Sequence, residues 1–317
     1  MAPLANRSVK KWLIVSLLQF CVVVPVATVV MGAVAAESAL HPAPNPIPAV
    51  CPCVAHVRCR AVETKAADGT LLKAWYYEPE TRQGGALLML HGIGGNRTDV
   101  IALGTVYEKV GYAVLTPDLR GHGETSGLVT YGVSDEQDVR AWAQWLLSQP
   151  GNERLYGFGV SLGGSVLLQS LKTETRFLAV IAESAYSSFP AIALERTHRS
   201  LPAHLKWLNG LFVHSGIRWA RLRYDMDLHA SSAVESVRRT STPVLLVHGL
   251  EDDLTSPDNS RVLAVANPSV TQLWLVPGAG HANLWATART EFESRTLNWL
   301  SSHMTKKQGD RISPVAP

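Results

Sequence analysis

Between residues 86 and 303, short and nearly unbroken apolar runs alternate with longer stretches of helical spacing. ALLMLHG (86–92), YAVLTPD (112–118), RLYGFGV (154–160), FLAVIAES (177–184), PVLLVHG (243–249) and TQLWLVPG (271–278) are the apolar runs. Runs of Val, Leu and Ile without polar alternation suit strands covered on both faces. Helical stretches near 97–110, 135–148, 162–172, 257–266 and 285–302 supply the cover. Strand and helix in strict alternation predict an α/β fold, a mostly parallel twisted sheet with right-handed crossovers and helices on both faces. Upstream, VRCRAVET and TLLKAWYY flank Asp68-Gly69, a hairpin signal. No internal repeat is visible.

The N-terminus follows a different pattern. Trp12 to Ala36 is an uncharged stretch preceded by Arg7, Lys10 and Lys11 and followed by Glu37. As a helix it would reach about 37 Å, against a hydrocarbon core of about 30 Å. The basic flank predicts the N-terminus inside and the remainder outside the cytoplasm. Ala33-Val34-Ala35 resembles a signal-peptidase site, so a cleaved leader and a secreted or periplasmic product stay open. The stretch exceeds the usual signal core of about 7–15 residues, which favours an uncleaved anchor. The proline-rich HPAPNPIPAVCPC that follows cannot continue a helix and reads as a stiff spacer. The expected organisation is a basic and transmembrane segment at 1–36, a linker at 37–53, a folded domain at 54–303 and a loose tail at 304–317.

Composition changes this picture little. The chain has 317 residues, a net charge of +3 and a pI near 8.7, with no long basic run, so nucleic acid is not an expected partner. In an oxidising compartment Cys59 would pair with Cys51 or Cys53, while Cys21 lies in the apolar stretch. His56 reads as a surface residue. No histidines cluster at ligand spacing, and neither a metal nor a cofactor is implied.

Candidate chemistry begins at GFGVSLGG, residues 157–164. Ser161 falls at the carboxyl end of a buried strand, directly before a helix. Ligands bind at that edge of an open parallel sheet. Gly159 and Gly163 leave room for a tight turn that lifts the serine clear of the sheet, and the helix from Leu162 aims its first amides at the same place.

With this turn go LHGIGGNR at 90–97, PDLRGHGETSG at 117–127, LLVHGLEDDLTSP at 245–257 and PGAGH at 277–281. In this order the motifs resemble the alpha/beta-hydrolase superfamily, its single-domain serine esterase, lipase and acyl-thioesterase-like members in particular. The resemblance spans about Val54 to His303. It implies Ser161 as nucleophile, His281 as its base and Asp252 as the acid behind the imidazole, in the chain order serine, acid, histidine. Asp252 is reached by counting from His248-Gly249; its neighbour Asp253 and the strand-end Glu183 are the other acids weighed. The backbone amides of Ile93 and Leu162 match the oxyanion hole, with Gly94 and Gly95 letting that loop approach. Asp118, Arg120 and His122 would tie the rim together, and His91 and His248 would be scaffold histidines.

More than 50 residues separate FLAVIAES from PVLLVHG, too many for a bare loop. In the superfamily such an insertion, here about 187–240, forms a small helical cap. Its Trp207, Leu208, Leu211, Phe212, Ile217 and Trp219 would line an acyl pocket or pack the cap onto the core. Arg196, Arg199, Lys206, Arg218, Arg221 and Arg223 give it a basic face, solvated or turned to anionic lipid headgroups. The expectation is a membrane-anchored serine hydrolase acting on small or lipid-like esters or thioesters through an acyl-enzyme. A peptidase or amidase of the same fold, and a binding protein that keeps the fold without turnover, are the alternatives.

Overall fold

The computed structural model describes residues 4–43, 45–48, 51 and 58–304. It contains one sheet of eight strands: β1 (Arg58–Lys65), β2 (Leu71–Glu78), β3 (Gly85–Leu90), β4 (Ala113–Pro117), β5 (Arg154–Val160), β6 (Phe177–Glu183), β7 (Val244–Gly249) and β8 (Thr271–Val276). Their spatial order is β1-β2-β4-β3-β5-β6-β7-β8. β1 and β2 form the antiparallel hairpin expected around Asp68-Gly69, with Gly69 at φ 85°. β2 meets β4 antiparallel, and all pairs from β4 to β8 are parallel.

After α1 (Leu4–Leu40) come α2 (Ile101–Lys109), α3 (Asp135–Ser148), α4 (Leu162–Ser170), α5 (Phe189–Ser200), α6 (Asn209–Tyr224), α7 (Ala233–Arg239), α8 (Asp258–Ala266), α9 (Leu284–Thr287) and α10 (Arg289–Ser302). The alternation along β3 shows why both sheet faces need helices. Ala86, Leu88 and Leu90 join the core under α3, α4 and α7, while Leu87 and Met89 join the core under α2 and α10. A strand apolar on both sides is stable only between two such layers.

Chain order fixes where a ligand can bind. The parallel part of the sheet begins with β3, steps outward to β4, then returns to β5 on the other side of β3. Loops leaving β3 and β5 therefore diverge at the carboxyl edge and leave a crevice there. The loops after β3 and β4 are held by a buried ion pair: Arg97 donates to Asp118 from Nε (3.0 Å) and Nη2 (2.7 Å). Both side chains are within 2% of full burial. Asp118 also accepts from the amides of Arg97 and Glu124, so its lone pairs are filled from both loops.

The structure departs from the expected boundaries in two places. α1 continues past Ala36 to Leu40 and stops two residues before Pro42, so the spacer starts later than residue 37. Leu40 is fully buried; its carbonyl accepts from the Val129 amide (3.1 Å) and that of Ala39 from the Tyr131 hydroxyl (2.9 Å). The insertion also serves two purposes. α5, a 3₁₀ turn at Ala203–Leu208 and α6 form the cap, but α7 packs Ala233 and Val237 into the core beside α4. Parallel β6 and β7 need a crossover helix, and α7 is that helix. Cys59 pairs with Cys51, the Cα atoms 6.2 Å apart, while Cys53 and His56 lie outside the described residues, as does 305–317 of the expected tail.

Asp118→Ala leaves the buried Arg97 guanidinium with the half-exposed Glu124 as its remaining carboxylate partner. It is expected to cost about 3–5 kcal/mol, read as a lowered urea midpoint of the detergent-solubilised chain.

Candidate active site

Ser161 sits between β5 and α4 at φ 53° and ψ −114°, a conformation an L residue adopts only under constraint. The glycines around it supply that constraint. A Cβ on Gly159 would overlap the Gly163 carbonyl, and one on Gly163 would overlap the carbonyls of Leu90 and His91. The Ser161 amide donates to the Glu183 carbonyl (2.8 Å), tying the turn to the next strand.

The structure brings Ser161, His281 and Asp252 together from three loops. Ser161 Oγ lies 3.0 Å from His281 Nε2, and His281 Nδ1 lies 2.8 Å from Asp252 Oδ2. A carboxylate only accepts, so Nδ1 carries the proton and Nε2 presents its lone pair to the hydroxyl. Of the other acids weighed, Asp253 is exposed beside Asp252, and Glu183 is buried at the end of β6 without reaching the imidazole. Asp252 Oδ1 accepts from the amides of Leu254 (3.0 Å) and Thr255 (2.8 Å). Burial alone would raise its pKa, but hydrogen bonds from His248, His281 and Thr255 outweigh it and hold the carboxyl well below the ordinary range.

His248 has a role that counting along the sequence missed. Its Nε2 lies 3.1 Å from the same Asp252 Oδ2 and 2.9 Å from the Thr255 carbonyl, while Nδ1 meets Ser260 Oγ at 2.7 Å. Asp252 is thus shared by two imidazoles. The strand-end position of His248, four residues before the acid, was the available signal.

Ile93 and Leu162 both border the serine. Leu162 opens α4, and the loop carrying Ile93 passes so near that a Cβ on Gly92 would sit 3.5 Å from that of Ser161. Buried histidines brace this loop: His91 Nε2 accepts from the Leu119 amide and His122 Nε2 from the Gly94 amide, both at 3.0 Å. Burial, with His122 nearby, lowers the pKa of His91 to about 4, so it acts as a neutral acceptor.

Two cavities meet at Ser161. One, of about 240 Å³, is apolar and is bordered by Leu162, Phe189, Ile192, Phe212 and Ile217. The other, of about 390 Å³, contains His281, Asp99, Glu183 and Trp285. Ile93 and Arg196 border both, and Arg196 Nε is buried without a hydrogen-bond partner. Of the cap residues singled out from sequence, Phe212 and Ile217 face the apolar cavity, whereas Trp207, Leu211 and Trp219 are exposed. Gly32, Ala35, Ala36, Ala39 and Leu40 of α1 complete the apolar wall. The Gly32-x-x-x-Ala36 spacing was the sign of close helix packing there.

Comparison with known proteins bears on the family and the fold. A family model described as the alpha/beta hydrolase family matches residues 87–294. An uncharacterised protein of Mycobacterium tuberculosis is 28% identical over 245 residues, 76% of this chain and 78% of its own. A lysophosphatidylserine lipase of Danio rerio is 28% identical over 190 residues, 58% of this chain but 47% of that protein. Among solved structures, an esterase of Pyrococcus furiosus superposes with a TM-score of 0.66 at 21% identity, over 84% of this chain and 98% of its own. At that identity the likeness is one of fold.

Glu183 gives the site a pH signature. Burial, reinforced by the charge on Asp252, pushes its pKa up to about 7, so the folded state holds a proton that the unfolded chain releases at lower pH. The stability linked to this proton is complete at low pH and is lost as pH rises through about 7. Glu183→Gln, which cannot ionise, is therefore expected to gain on the parent chain between pH 5 and pH 8. Melting temperatures of both proteins across that range check it; a constant difference would contradict it.

Proposed function

The chain belongs to the alpha/beta hydrolase family, and on that premise we propose that it is a serine hydrolase cleaving carboxylic ester or thioester bonds of acyl-chain substrates. The observation that carries this reading is the hydrogen-bonded series Ser161–His281–Asp252, at 3.0 and 2.8 Å. A neutral hydroxyl attacks acyl carbons slowly, so its proton must leave as the bond forms. His281 Nε2 takes that proton, and Asp252 keeps Nδ1–H oriented and stabilises the imidazolium. The alkoxide formed at the carbonyl carbon is met by the backbone amides of Ile93 and Leu162. Collapse expels the alcohol or thiol with the proton from His281. Water, deprotonated by the same imidazole, then releases the acid from Ser161.

The two cavities give the reaction a direction. The apolar one suits the acyl chain; its volume lies below the roughly 300–1,000 Å³ of sites for drug-sized ligands, which favours one chain over two. The larger cavity suits the leaving group. Arg196, at the junction with an unpartnered Nε, suits an anionic one. A single-chain anionic acyl ester is also the kind of substrate named for the lysophosphatidylserine lipase among the relatives.

We read α1 as an uncleaved anchor. Lys11–Leu40 is the one helix among the described residues long and apolar enough to cross a bilayer. Trp12, Leu18, Val22 and Val26 on it are exposed, as lipid-facing residues would be, while Leu40 is built into the domain. The basic flank puts the domain outside the cytoplasm, where the Cys51–Cys59 disulfide would persist.

A fluorophosphonate probe is expected to label the purified chain at one serine, with Ser161→Ala abolishing both labelling and ester turnover. Asp252→Asn is expected to lower kcat by about 10³–10⁴-fold, since the imidazole loses its fixed tautomer. Labelling that survives in Ser161→Ala would overturn the assignment. Profiling acyl esters, thioesters and amides of one acid identifies the bond cleaved.

A further inference from the structure

We propose that α1 is a wall of the acyl site as well as a membrane helix, so that a single-chain acyl ester moves from the bilayer along α1 into the cavity beside Ser161. The inference rests on the serine hydrolase reading and adds the route and the residues that set chain length.

Three observations carry it. First, α1 and α6 meet through small residues. A Cβ on Gly32 would press onto the Ser215 hydroxyl and come within 2.5 Å of the Phe212 carbonyl, and one on Gly216 would lie 2.9 Å from the Gly32 carbonyl. Such a crossing brings two backbones together as bilayer helices do. It turns Ala35 and Ala39, one helical turn apart, toward the cavity with side chains too small to fill it.

Second, the contact is latched at its outer end. Glu37 accepts from Trp219 Nε1 and from the Tyr224 hydroxyl (2.7 Å). Because Gly32 meets Gly216 while Glu37 meets Tyr224, the two helices run in the same direction.

Third, the outer face of the cap mixes apolar and basic side chains. It exposes Trp207 (64%) and Leu211 (40%) early and Leu222 (73%) near the end of α6. Its later part carries Arg218, Arg221 and Arg223, beside the charged end at Glu37. Exposed tryptophan and leucine interleaved with basic residues suit a surface resting in the headgroup layer of an anionic membrane. The cavity wall at residues 32–40 spans about 12 Å at this headgroup end of the helix, where an acyl chain drawn out of the bilayer along α1 would enter it.

The experiment uses the full chain in lipid nanodiscs and reads the ratio of kcat/KM for p-nitrophenyl dodecanoate to that for the butyrate. Ala35→Phe places a ring in the cavity and is expected to lower the ratio about tenfold or more, the cost of excluding two or so methylenes. Val30→Phe, on the exposed face of the same helix, is expected to keep the parental ratio. A folded Ala35→Phe, judged by its melting transition, with an unchanged ratio would overturn the inference.

Should Ala35→Phe fail to fold, a thiol on the same wall decides. In a Cys21→Ser, Ala35→Cys chain, dodecanoic acid is expected to slow modification by decyl methanethiosulfonate, and the modified protein to lose long-chain preference; neither effect appearing would overturn the inference. Absence of fluorophosphonate labelling in the parent chain would instead sink the hydrolase reading, while thiol protection would still report on an acyl-binding wall.

Discussion

The geometry of this protein turns on one residue held in a backbone conformation it would not choose. At φ 53° and ψ −114°, Ser161 costs about 1–3 kcal/mol of local strain, which persists only where the surroundings over-determine it. Here they do. Its amide is bound by the Glu183 carbonyl, and its carbonyl accepts from the amide (3.0 Å) and hydroxyl of Ser165. Gly163 brings α4 against the carbonyls ending β3. The strain is not isolated. Ser184 after β6, Ala282 beside His281, and Tyr131 on the cavity wall also have positive φ, all near the edge where loops converge. Three loops can meet a serine only because the sheet below is rigid enough to hold these distortions.

Electrostatics at that edge separates two carboxyls that lie close in space. Asp252 and Glu183 end neighbouring strands' loops, and both are buried. Asp252 is surrounded by donors, two backbone amides and two imidazoles, and stays ionised. Glu183 is held by one backbone amide in an apolar setting and feels the charge on Asp252, so it keeps its proton well above the usual range. One negative charge, in the place where an imidazolium needs it, is what the desolvated edge supports. On the proposed mechanism this explains why the acid is the one with more donors rather than the one nearer the serine along the sheet.

Much of the fold was legible because its signals are local. Unbroken apolar runs such as ALLMLHG and PVLLVHG, short and bounded by turn residues, read as strands covered on two faces, and the Asp68-Gly69 turn marks a hairpin. The positions of Ser161, Asp252 and His281 were legible for the same reason, since each is set by a turn motif next to a strand. What could not be read depends on distant contacts. Nothing near His248 in the chain says that its ring would share Asp252, because that depends on how the Leu254–Thr255 turn folds back. The split of the insertion into cap and crossover follows from β6 and β7 being adjacent in the sheet, which residues 187–240 alone do not state. The end of α1 was misplaced because apolarity marks where a bilayer would end, not where a helix ends. Glu37-Ser38-Ala39-Leu40 continue the helix until Pro42 forbids it.

On the proposed reading, those four residues favour an anchor over a cleaved leader. Cleavage after Ala35 would remove Gly32 and its crossing with Gly216, and would leave Ala36, Ala39 and Leu40 without the helix that positions them. Leu40 is as buried as the centre of the sheet, so its loosening would open the core at Val129 and Tyr131. A dispensable signal is joined to its passenger by a segment that can be lost without such damage. On the proposed reading, the segment that retains the protein at the membrane and the segment that completes its binding cavity are one helix. Attachment and substrate choice then share a physical origin: the apolar surface of α1 is continuous from the lipid-facing residues to the wall beside the serine.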